Sequence, residues 1–97
     1  MPEIVIEVGP IDESLEPDKF EYRMRHQSCG DIDQCIEARG GDSCHLHCAG
    51  CGMELEVAKE GMIEIWFSSV DQHRTRDISS WIRSPGVRCT VVPVPYL

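Results

Sequence analysis

Apolar and polar residues alternate from the start of the chain. Ile4, Ile6 and Val8 fall on one side of residues 3–8 and Glu3, Val5 and Glu7 on the other, which predicts a strand with one wet face at a sheet edge. Residues 9–18 hold two prolines, a glycine and the acids Asp12, Glu13, Glu16 and Asp18, the composition of an acidic loop. A second alternation sets Phe20, Tyr22, Met24 and His26 against Glu21, Arg23 and Arg25, so His26 arrives in phase with the apolar side. Asp31 can cap a short helix in which Ile32, Cys35, Ile36 and Arg39 share a face and Gly40-Gly41 is the stop. Residues 44–48 alternate again as a strand. Met53, Leu55 and Val57 alternate with Glu54 and Glu56, Lys59-Glu60-Gly61 turns, and residues 62–67 return, which predicts a β-hairpin. The period then lengthens to that of a helix over 69–83. Its core side is Val70, Ile78, Trp81 and Ile82, its cap Ser69 and its stop Ser84-Pro85-Gly86, although the apolar stripe is broken between Val70 and Ile78. A last strand fits residues 87–92, before a proline-rich end. The fold class expected is α+β: an antiparallel sheet of four to six strands with one C-terminal helix packed on it.

Ninety-seven residues allow one domain, 1–97, whose core is only marginally adequate alone. A structural metal would therefore contribute to folding. No segment approaches a membrane-spanning length, and the N-terminus has no basic stretch followed by a long apolar run, so a cytoplasmic location is expected. In that setting six cysteines point to metal binding before disulfides.

Two matching segments give that expectation a place. His26-Gln-Ser-Cys29-Gly30 and Cys48-Ala-Gly-Cys51-Gly52 each set a ligand type, two spacers, a cysteine and a glycine in a row. This is the pattern of a zinc knuckle: a tight turn aims backbone N–H groups at a thiolate, and the glycine supplies the positive φ that closes it. Two such half-sites predict one structural Zn²⁺ held by His26, Cys29, Cys48 and Cys51. Cys44, His47 and Cys35 compete for the place of His26, since Cys44-x3-Cys48-x2-Cys51 also offers three ligands, with poorer knuckle geometry. His45 and His47 share one face of a strand and read as surface imidazoles or as supports behind a ligand. Cys35 and Cys89 read as small buried hydrophobes.

Across residues 26–52, little more than a quarter of the chain, the sequence resembles the zinc ribbons, in which two Cys-x-x-Cys-Gly turns share a zinc. In scale and layout it is similar to the small zinc ribbons of bacteriophages, such as the restriction-alleviation family. It departs from the common pattern at His26, where that pattern has cysteine. The resemblance implies a range of uses: nucleic-acid binding, subunit docking in large machines and inhibition of host defence enzymes.

Charge narrows that range. The net charge is −8. Residues 1–69 hold fifteen acids and five bases, and residues 70–97 two acids and four bases, so the sums are −10 and +2. Nucleic-acid-binding domains usually show the opposite balance. The expected role is a non-enzymatic protein-interaction module, a small acidic inhibitor or adaptor that docks on a nucleic-acid-handling machine. Its acidic face would combine Glu3, Glu7, Asp12, Glu13, Glu16, Asp18, Glu54 and Glu56, matched to a basic surface on the partner. One alternative is a nucleic-acid-binding ribbon that uses Arg74, Arg76, Arg83 and Arg88. Another is a structural subunit whose exposed hairpin edge, in the hairpin that turns at residues 59–61, completes a partner's sheet. Catalysis finds no support: a zinc with four protein ligands has no open position for water, and neither deaminase nor nucleophile motifs occur.

Overall fold

The computed structural model describes residues 3–12, 23–29, 36–39 and 43–97. Among these, seven strands and one α-helix are arranged in the order β1 (Glu3–Val8), β2 (Met24–His26), β3 (Ile36–Arg39), β4 (Ser43–Cys48), β5 (Glu54–Ala58), α1 (Lys59–Asp71), β6 (Arg76–Asp77) and β7 (Arg88–Pro93). The strands form a four-stranded sheet of order β2-β1-β7-β6 and a three-stranded sheet of order β3-β4-β5. The α+β class expected from the sequence is the class observed.

The larger sheet is mixed. β1 pairs antiparallel with β2, placing Ile6 opposite His26, and parallel with β7 from Glu3–Arg88 to Val8–Pro93. β1 is thus an interior strand, not an edge. The smaller sheet is an antiparallel meander, joined to the C-terminal part of the chain by a bridge between Val57 and Ile82 and by the Arg83 N–H donating to the Glu56 carbonyl at 3.0 Å. α1 lies against β1 and β7 of one sheet and β4 and β5 of the other. Ile6, Met24, Leu46, Val57, Ile65 and Val91, all fully buried, form the centre of one continuous core.

Three expected elements are corrected. Residues 62–67 are not a returning strand, and Lys59-Glu60-Gly61 is not a turn: both belong to α1. The buried positions of α1 are Gly61, Met62, Ile65, Ser68 and Ser69, a helical face that carries a glycine and two serines where apolar residues would announce it. The helix expected over 69–83 is absent. Ser69, its expected cap, sits in the last turn of α1 with its hydroxyl donating to the Ile65 carbonyl at 2.9 Å. Gln72, at φ 55°, then ends α1. Beyond it the chain forms β6 and a 3-10 turn over Ser79–Trp81. Finally, residues 36–39 are β3, where Ile36 and Arg39 had helical spacing, because pairing with β4 overrides local periodicity; Asp31, Ile32 and Cys35 lie outside the described residues.

Gly61 is fixed by a close approach. A Cβ at this position would stand 2.6 Å from both Trp81 Cβ and Val57 Cγ1, so α1 can meet β5 and the 3-10 turn only without a side chain there. In an ordinary helix interior, glycine to alanine gains about 1 kcal/mol. Here we expect Gly61→Ala to lower stability by about 1–3 kcal/mol through overpacking, measured by chemical denaturation.

The polar side of β1 is not fully wet. Glu7 is 5% exposed and accepts hydrogen bonds from the Arg25 guanidinium at 2.7 and 3.1 Å and from the Tyr96 hydroxyl at 2.6 Å. It is therefore withdrawn from the exposed acidic face expected for it. The tail that carries Tyr96 is held by the Val94 N–H, which donates to the Val8 carbonyl at 2.9 Å. Burial alone would raise the Glu7 carboxyl, but the Tyr96 hydroxyl and the Arg25 guanidinium outweigh it and hold the group below its ordinary value of 4.5. A depressed folded-state value contributes stability above the unfolded value that is lost as pH falls through the folded one. Stability should decline from near pH 4.5 downwards, and Glu7→Gln should lower stability at pH 7 and flatten that acid limb in denaturation curves taken between pH 7 and pH 2.

Candidate metal centre

The two knuckle segments lie at the ends of β2 and β4, strands of different sheets. In β2, Met24 and His26 are buried with Arg25 between them, so the strand's pleat turns His26 inward as its phase predicts. A 3-10 turn over Gln27–Cys29 then brings Cys29 back beside it. In β4, Cys44, Leu46 and Cys48 share the buried face. The chain reverses directly after Cys48: the Gly52 N–H donates to the Cys48 carbonyl at 2.8 Å, and the Cys48 N–H to the Met53 carbonyl at 2.9 Å. Gly52 has φ +74°, the conformation for which the glycine was expected. Gly30, its counterpart, lies outside the described residues.

These turns bring four ligand atoms within 4.8 Å of one another: one nitrogen of His26 and the sulfurs of Cys29, Cys48 and Cys51. His26 Nδ1 is 3.6 Å from Cys29 Sγ and 3.4 Å from Cys51 Sγ, and Cys29 Sγ is 3.4 Å from Cys48 Sγ. A tetrahedral zinc with bonds of about 2.3 Å to sulfur and 2.0–2.1 Å to nitrogen has edges of about 3.6–3.8 Å between its ligands. The donor set and its spacing therefore fit a tetrahedral ion of zinc's size. His26 and Cys48 are buried, Cys29 is half-buried and Cys51 is exposed, so the centre sits at the rim of the core.

Electrostatics point the same way. The Cys29 thiol is pushed up to about 12, first by its hydrogen bond to Cys48, then by burial and by Cys51. Burial would also raise Cys48, yet it is lowered, because the backbone N–H groups of Cys51 and Gly50 and the thiols of Cys29 and Cys51 donate to it. This is the knuckle's expected use of the backbone, with Gly50 as a donor the spacing alone did not single out. Crowded thiols cannot all ionise without a cation; a divalent ion would displace their protons.

The competing ligands lie elsewhere or outside the described residues. Cys44 is 2% exposed in the core, where burial raises its thiol. His47 points to the other face of β4, with Nδ1 3.4 Å from Glu54, its cross-strand partner, and His45 stands opposite Glu56. Cys35 is outside the described residues. Cys89 is fully buried and pushed up to about 12 by desolvation, the inert thiol expected.

The expected interaction residues differ in their surroundings. Glu3 and Glu54 are exposed on different sheets, Asp12 is exposed after β1, and Glu13, Glu16 and Asp18 lie outside the described residues. Glu56 accepts from the Ser43 hydroxyl at 3.0 Å and faces Arg83 at 3.5 Å. The four arginines do not line a helix: Arg74 comes after α1, Arg76 is in β6, Arg83 comes after the 3-10 turn and Arg88 opens β7. Arg76 is engaged by Glu64 at 3.1 Å and Asp71 at 3.6 Å, over the ring of Phe67. What sequence reasoning missed is the Glu7–Arg25–Tyr96 network next to His26. Its only signal was Arg25 itself, counted among the wet positions of its strand.

Comparison with protein-family models, curated proteins and solved structures finds no match to this chain. Its function must be argued from the centre.

Metal analysis of protein purified without chelator should find one zinc per chain. Cys29→Ser, Cys48→Ser and Cys51→Ser should each lose it, and Cys44→Ala should keep it. Binding should release protons and weaken as pH falls, because each thiolate must be freed of its proton.

Proposed function

We propose that the chain is a non-enzymatic zinc-binding interaction module. The observation that carries this is the closeness of the donors: three sulfurs and one imidazole nitrogen within 4.8 Å of one another match the number and kind of ligands a tetrahedral zinc takes. Such an ion holds chain segments together; with no place for water or substrate, it is unsuited to activating a nucleophile. Zinc is favoured over other divalent ions by the soft, thiolate-rich donor set.

The partner proposed is a protein with a basic, nucleic-acid-handling surface, and the role that of a small acidic inhibitor or adaptor, as the resemblance to phage zinc ribbons suggests. The net charge of −8 supports this, with Glu3, Asp12 and Glu54 at the surface. The nucleic-acid-binding alternative is less favoured, because Arg76 and Arg83 already face carboxylates and leave Arg74 and Arg88 with a weaker case. Docking by a hairpin edge loses its premise, since residues 59–61, the expected turn, open α1 and no hairpin directly follows β5.

No helix among the described residues is long and apolar enough to cross a membrane; the cytoplasm is the location proposed. In affinity capture from nuclease-treated lysate, the tagged chain should retain nucleic-acid-binding proteins that excess duplex DNA displaces, and the Glu3→Lys/Asp12→Lys/Glu54→Lys variant should lose them. Undiminished capture by that variant would overturn the acidic-docking role. Salt-sensitive binding of oligonucleotides, lost in Arg74→Ala/Arg88→Ala, would establish the alternative.

A further inference from the structure

The centre holds two sulfurs close enough to react with each other. Cys29 Sγ and Cys48 Sγ are 3.4 Å apart although their residues are 19 positions apart in sequence. One lies just after β2 in the four-stranded sheet and the other ends β4 in the three-stranded sheet. A disulfide closes at about 2.05 Å, so the sulfurs need to approach by only about 1.4 Å. Cys29 is half-buried, and Cys51 beside it is exposed, so small solutes can reach the cluster from one side. A bond between Cys48 and Cys51 would stay inside one turn and join nothing. A bond between Cys29 and Cys48 would span the same two elements that the metal spans.

We infer that the centre is also an oxidation site, at which hydrogen peroxide converts Cys29 and Cys48 to a disulfide that expels the metal and takes over its place as the link between the sheets. The Cys29 sulfur, its proton lost to solvent on metal binding or as it reacts, attacks an oxygen of hydrogen peroxide; the O–O bond breaks, leaving a sulfenic acid on Cys29 and releasing hydroxide. The Cys48 thiolate then attacks the Cys29 sulfur; the S–S bond forms, the S–O bond breaks, and a second hydroxide leaves. Two electrons pass from the two sulfurs to the peroxide, and both hydroxides take protons from solvent as water. The metal keeps only His26 and Cys51, two of four ligands, and departs. Thiol reductants reverse the step and restore the binding site. The metal-release half of this inference rests on the zinc-binding reading; the disulfide half rests on the sulfur geometry alone.

The test treats the zinc-loaded full chain with graded hydrogen peroxide, tracks zinc with a chromophoric chelator and maps linked peptides by mass spectrometry. The expected result is one zinc released for each pair of thiols lost, a single link between Cys29 and Cys48, and recovery of full zinc binding after dithiothreitol. The oxidised, metal-free chain should melt well above the reduced, chelated chain, and Cys51→Ser should form the same link. A link between Cys48 and Cys51, oxidation without any link, or zinc retained after peroxide would each overturn the inference. If the purified chain proves to hold no zinc, the metal-binding reading fails on its own, and peptide mapping of the reduced chain after peroxide still decides whether Cys29 and Cys48 form the bond.

Discussion

Everything in this molecule turns on the meeting of two strand ends, His26 at the end of β2 and Cys48 at the end of β4, which belong to different sheets. The core beneath them is continuous but small, as it must be in a chain of this length. α1 spans both sheets from one side, and the ligand cluster joins them at another place. A metal there would act on the unfolded chain as a cross-link does, and on the folded one by neutralising thiolates that repel each other. Metal binding and folding would then be one equilibrium, and the centre part of the architecture rather than an attachment to it.

Closure would also separate chemistry from binding. A metal held by four protein ligands would fix geometry, and recognition, as proposed, would fall to the surface. That surface is acidic in sum, yet the carboxylates are unequal. Glu7 is buried under Arg25 and Tyr96 and Glu56 is shared between Ser43 and Arg83, while Glu54, with 72% of its side chain exposed, stands outward beside His47. Sequence charge alone cannot separate these roles, because a carboxylate that fixes a strand and one that meets a partner look alike until packing is known.

How much of the fold was legible depends on how local each signal is. The ligands are specified within a few residues, by spacing and by a glycine whose φ of +74° can be expected from the motif, and they come together in the structure. The alternation of β4 and β5 is local too. The parallel pairing of β1 with β7 joins opposite ends of the chain, and no short window contains it. The helix was missed for a physical reason. Its buried face includes Gly61, Ser68 and Ser69, chosen for close approach and for hydrogen bonds to the Arg74 and Ile65 carbonyls, so hydrophobic periodicity was weak where the packing was tightest. Lys59-Glu60-Gly61 looked like a turn because glycine serves both purposes. The network around Glu7 was hidden by the same ambiguity: a glutamate on the polar side of a strand is ordinarily wet.

The most direct test of the central claim is X-ray absorption at the zinc edge of the purified, unsupplemented protein. Three sulfur scatterers at about 2.3 Å and one nitrogen scatterer at about 2.0 Å are expected, with no further oxygen shell. A five- or six-coordinate shell rich in oxygen, or one with fewer than three sulfurs, would contradict a closed centre built from His26, Cys29, Cys48 and Cys51.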